Sequence, residues 1–78
     1  MVILKNIKRI SDGITCDAFV EDAKAPVFLS LSRDGMFRSG SLPDGYEYCT
    51  THITKAKWYL TSIMDAECIP ENWTIMWY

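Results

Sequence analysis

Seventy-eight residues, 49% of them hydrophobic and 13% aromatic, carry a formal net charge of −2. That apolar content excludes a disordered chain, while the length leaves room for only one core and buries about 60–65% of the surface exposed on unfolding. Residues 1–39 hold six basic and five acidic groups, and residues 40–78 hold two and five, so charge recommends neither nucleic acid nor an anionic membrane.

Residues 2–10, VILKNIKRI, carry enough β-branched side chains for a strand. Ile3 and Ile7 would share a face with Lys5 and Arg9, which predicts a partly covered edge strand. Ser11-Asp12-Gly13 reads as a turn that uses the positive φ open to glycine. Ile14, Cys16, Ala18 and Val20 then alternate with Thr15, Asp17, Phe19 and Glu21, the period of a half-buried strand. After a polar connection, Pro26 suits a strand start. Val27, Leu29 and Leu31 face one way, with Phe28, Ser30 and Ser32 on the other side. Asp34-Gly35 is a strong hairpin signal, with Met36 to Ser39 as a short return strand.

GSLPDG at residues 40–45 is a loop by composition. Beyond it Cys49, Ile53, Ala56, Leu60 and Ile63 recur at steps of four, three, four and three, one stripe of an α-helix. The secure helix covers about residues 51–64. Its start depends on the cap: Asp44 with Glu47 forms a candidate capping box, and Thr50 or Thr51 would cap a shorter helix. Pro70 stops any continuation. Trp73 to Tyr78 reads as a last strand, apolar on both faces, which predicts either a central place under loop cover or burial against another chain. The expected fold is α+β: a small, mainly antiparallel sheet, β-β-β-(β)-α-β, with one helix across one face.

Cysteine usage points to a reduced, cytoplasmic setting, because Cys16, Cys49 and Cys68 are odd in number and lack CxxC spacing. MVILKNIKRI puts its apolar run ahead of its charges, the reverse of a secretory signal. No apolar stretch nears the roughly 20 residues that span a bilayer, so no membrane association is expected.

Cys49 and His52 are the one pair with the look of a catalytic or metal site, since i, i+3 spacing makes them helix neighbours. A zinc site needs three or four ligands, and the chain has one histidine. The expectation is therefore no enzyme activity, no catalytic residue, no metal and no cofactor, with Cys49 a small buried hydrophobe. Gly35, Gly40 and Gly45 match no phosphate-binding spacing. Lys5, Lys8, Arg9, Arg33 and Arg38 near Phe28 or Phe37 have the residue types of a single-stranded nucleic-acid platform. Interspersed acids make solvated charge the preferred account of them. Asp65, Glu67 and Glu71 sit where a helix C-terminus disfavours acids, a weak mark of a contact surface. Aromatic anchors carry the stronger functional signal: Trp58, Tyr59, Trp73, Trp77 and Tyr78 are of the types enriched in protein interfaces. The preferred function is a small protein-interaction or regulatory module whose partner is another protein or a second copy in a homodimer. The alternative is a nucleic-acid-binding accessory protein that uses a basic strand face.

Overall fold

Period-two alternation through residues 2–39 folds the N-terminal half into an antiparallel meander, and the helix that follows lies across one face of it. The computed structural model describes residues 1–76, so Trp77 and Tyr78, predicted to end the last strand, lie outside the described residues. Among those residues the order is β1 (Val2–Ile10), β2 (Gly13–Val20), β3 (Val27–Ser32), β4 (Phe37–Ser39), α1 (Thr50–Ile63) and β5 (Trp73–Ile75). The strands form one sheet, β4-β3-β2-β1-β5, with every neighbouring pair antiparallel. This is the small α+β architecture expected from the sequence, with the fourth strand present.

β1 is not an edge strand: it lies between β2 and β5. Nor do Ile3 and Ile7 share a face. Lys5 pairs with Asp17 and Lys8 with Thr15, so Asn6 and Ile7 together oppose Cys16. The extra residue is a β-bulge, and it reverses the parity of everything after it. Asn6 takes φ 54, a left-handed conformation that asparagine tolerates better than most residues, and its Nδ2 donates to Asp17 Oδ2 at 3.0 Å. Val2, Leu4 and Ile7 are consequently buried under the helix, while Ile3, Lys5 and Lys8 fall on the opposite face.

Ile14, Cys16, Ala18 and Val20 of β2 and Val27, Leu29 and Leu31 of β3 complete the inner face. Gly13 serves the sheet rather than the turn, and its φ is not positive. A Cβ there would stand 2.1 Å from the Leu31 carbonyl oxygen, so β2 and β3 can meet at Gly13 only without a side chain. Gly35, at φ 94, supplies the turn between β3 and β4 as the sequence predicts.

α1 starts at Thr50 with Cys49 as its N-cap residue and no side-chain cap. Neither the Asp44–Glu47 box nor a threonine cap forms. Instead, successive turns lead in, with Tyr46 N–H donating to Pro43 O and Cys49 N–H to Tyr46 O. The buried helix residues are His52, Ala56 and Leu60, extended by Cys49 and Met64. The stripe is thus rotated from the predicted one, and Ile53 and Ile63 flank it. The rotation brings His52 to a carboxylate partner, Glu21, at the end of the sheet.

β5 occupies the edge beside β1, not the centre, and the central placement predicted from its two apolar faces is overturned. Trp73 and Ile75 pair with Leu4 and Val2 and lie toward the helix, whereas Thr74 pairs with Ile3 on the opposite face. Leu60 is fully buried among these elements. Leu60→Ala is expected to destabilise the fold by about 2–5 kcal/mol, the range for large-to-small core changes. Denaturant melts would contradict this helix packing if the loss were under about 0.5 kcal/mol.

Candidate functional site

Three regions hold the residues singled out by sequence. The first joins the end of β2 to the start of α1. His52 is buried, and its Nε2–H donates to Glu21 Oε1 at 2.6 Å. The Met1 nitrogen lies 3.1 Å from the same oxygen. The hydrogen bond from His52, followed by that from Met1, holds the Glu21 carboxyl below its ordinary value of 4.5. Close by, the Tyr46 hydroxyl donates to Asp22 Oδ1 at 2.7 Å, and that bond raises the tyrosine pKa. The arrangement fastens one end of the helix to the sheet.

Cys49 therefore does not receive the environment of a nucleophile. It is fully buried, and burial, then the charge of Glu21, pushes its thiol pKa up. Cys16 is driven further, to about 12, by burial and then by Asp17. An activated cysteine needs the opposite shift. Among the described residues no group of three or more His, Cys, Asp or Glu is placed to hold a metal ion.

The second region is the β5 edge. Trp73 is 48% exposed and Met76 63% exposed. Tyr59 reaches down from α1 and stacks on Trp73, with ring centroids 5.2 Å apart and planes 7° apart. Two of the predicted anchors thus meet. Trp58 does not join them: it lies outside the buried stripe, 60% exposed, with Lys55 Nζ 4.9 Å from its ring centroid. Trp77 and Tyr78 fall outside the described residues.

The third region is the sheet face opposite the helix. Lys5, Lys8 and Arg38 are on it, but Arg9 and Arg33 are not. Arg9 donates to the Ala66 carbonyl just past the helix, and Arg33 Nη1 binds Asp65 Oδ1 at 2.7 Å. Those two arginines place positive charge where the helix dipole is negative, and Arg33 gives Asp65 a partner. On the open face Phe28 is 56% exposed, and Lys5 Nζ sits 5.4 Å from the Phe19 ring centroid. A depression of about 350 Å³ near the hairpin ends is lined by Ile10, Asp12, Ser30, Ser32, Asp34, Met36 and Arg38. Asp34 is held below its ordinary pKa by the Ser32 hydroxyl and by the Met36 N–H.

Comparison with known proteins returns no match to any protein-family model, curated protein or solved structure. Among the described residues no helix is long and apolar enough to cross a membrane.

Two outcomes follow from the first region. Glu21 has a depressed folded pKa, so its stabilisation is fully present above about 4.5 and is lost as pH falls through the lower folded value. Glu21→Gln should be less stable than wild type at neutral pH, with the gap closing in acid. Urea melts along a pH series check this, and a gap that persists unchanged into acid would contradict it. Cys68 is the exposed thiol, Cys16 and Cys49 being buried. A colorimetric thiol reagent should therefore label Cys68 at once and the other two only as the protein unfolds. Rapid labelling of Cys49 in the native state would overturn its placement.

Proposed function

We propose that this protein is a non-enzymatic interaction module that associates through the β5 edge, with a second copy of itself as the partner. The observation that carries this is the chemistry of an uncharged edge. β5 ends the sheet, and residues 72–76, NWTIM, contain no charge. Sheet edges normally carry lysine, proline or a bulge to prevent pairing with another chain. The opposite edge, β4, has Arg38 at its centre, whereas β5 carries no charge and is limited only by its three-residue length.

The β5 sequence also suits pairing with itself. Two antiparallel copies centred on Thr74 would set Trp73 opposite Ile75 of the other copy and Thr74 opposite Thr74. Aromatic–β-branched and Thr–Thr pairs are both favourable cross-strand combinations, each contributing about 0.2–1 kcal/mol. A two-fold interface of this kind closes on itself and stops at a dimer. The Trp73–Tyr59 stack would sit at its border, so that the edge is extended by aromatic surface from the helix.

Analytical ultracentrifugation over about a hundredfold range of concentration should show a monomer–dimer equilibrium. Thr74→Lys with Met76→Lys changes two exposed residues and places charge on the edge, so it should abolish the dimer while the far-UV circular dichroism of the folded chain is unchanged. A wild-type protein that stays monomeric at every concentration would refute self-association. A dimer untouched by the two lysines would move the interface elsewhere.

A further inference from the structure

The geometry points to a second binding site on the open face of the sheet, one that takes single-stranded nucleic acid. It is independent of the β5 edge and uses none of its residues. Lys8 pairs with Thr15, Thr15 with Ser30, and Ser30 with Arg38. These four residues therefore form a single straight row across β1, β2, β3 and β4, and all four point away from the helix. The row has a cation at each end and two hydroxyls between them. At about 4.8 Å per strand, its ends are about 14 Å apart at the backbone.

The row exists because of the bulge at Asn6. Were the same residues of β1 paired in unbroken alternation, Lys8 would point toward the helix and β1 would offer no cation opposite Thr15. With it, a lysine from β1 and an arginine from β4 flank hydroxyl groups that can donate to an anion. Thr15 and Ser30 are half-buried and Lys8 and Arg38 exposed, so the row is reachable from solvent.

A second row runs alongside it. Lys5 pairs with Asp17 and Asp17 with Phe28, two residues along the strands from the first. That offset is about 7 Å, comparable with the reach from a phosphate to its own base. Phe28 offers an exposed ring on which a base can stack, a contact that tolerates any sequence. Lys5 already lies over Phe19, diagonal to Phe28 in the next row. Phosphates along the hydroxyl row with a base over Phe28 match the two rows together, whereas an acidic peptide would leave the exposed ring unused.

The acids nearby limit the strength of binding. Asp17 lies within the aromatic row, with Asn6 donating to it and Lys5 opposite. Asp12 and Asp34 line the depression at the hairpin ends together with Ser30 and Arg38, so two carboxylates face the β3–β4 end of the hydroxyl row. The expected complex is accordingly weak, short and salt-sensitive.

The test is fluorescence anisotropy with a labelled oligothymidine of about twelve nucleotides, within the range one small module covers, and with an oligouridine of equal length. Wild type should bind both. Two phosphate contacts should give a log–log salt slope of about −1.4 between about 50 and 200 mM salt. Lys8→Ala with Arg38→Ala should flatten that slope toward zero and weaken binding about tenfold at the lower salt. Phe28→Ala should weaken binding about tenfold while leaving the slope unchanged, since stacking releases no counterion. Lys24→Ala with Lys55→Ala removes the same charge away from this face and should change little. Circular dichroism confirms that each variant is folded. The proposal is overturned if wild type fails to bind at low salt, or if the control pair weakens binding as much as the Lys8–Arg38 pair. It is equally overturned if the oligonucleotides do not bind and Phe28→Asp converts a dimer to a monomer, which would give the face to a second copy.

Discussion

One helix covers one side of a five-stranded sheet, and the placement of nearly every other group follows from that. A helix of fourteen residues is about 21 Å long and about 10 Å across. Two strand spacings also come to about 10 Å, so the helix spans the middle three strands and packs on β1, β2 and β3. The outer strands are left to side chains that reach over from the helix flanks. Tyr59 stacks on Trp73 of β5 on one flank, and Lys57 Nζ lies 5.7 Å from the Phe37 ring centroid of β4 on the other. Both outer strands are three residues long, which fits elements with so little cover.

The same geometry creates two surfaces with different chemistry. At the β5 edge, backbone groups and uncharged side chains meet solvent together, which suits pairing with another strand. On the uncovered face, the parity set by the bulge at Asn6 collects Lys8, Thr15, Ser30 and Arg38 into one row. Other ionic groups connect the helix ends to the sheet. Glu21 and His52 fasten one end of the helix, while Arg33, Arg9 and Asp65 fasten the other. These contacts join the helix to the sheet, and the two surfaces proposed for partners, an edge and a face, lie apart from them.

The sequence revealed period and composition but not pairing. The meander and the Asp34-Gly35 hairpin are local features, and so is a helix in residues 50–63, so all three were legible. The bulge left a trace in the odd spacing from Leu4 to Ile7, with a left-hand-tolerant Asn6 between them. Reading Ile3 with Ile7 as one face missed it. His52 looked like a helix neighbour of Cys49, because its partner Glu21 is 31 residues away in sequence. The edge position of β5 depends on pairing with β1, some seventy residues earlier, and apolar composition alone suggested a central strand. The basic residues divided between two faces for the same reason: register is a property of strand pairs, and no single strand specifies it.

The central claim is that one face of the sheet is sealed and the other is open to water. A soluble nitroxide added during NMR of the methyl groups measures that division directly, because it broadens signals that solvent can approach. Ile10, on the open face, should be strongly attenuated, while Leu4, Leu29 and Leu60 should keep their intensity. Equal attenuation of Ile10 and Leu29, or protection of both, would contradict the two-layer account.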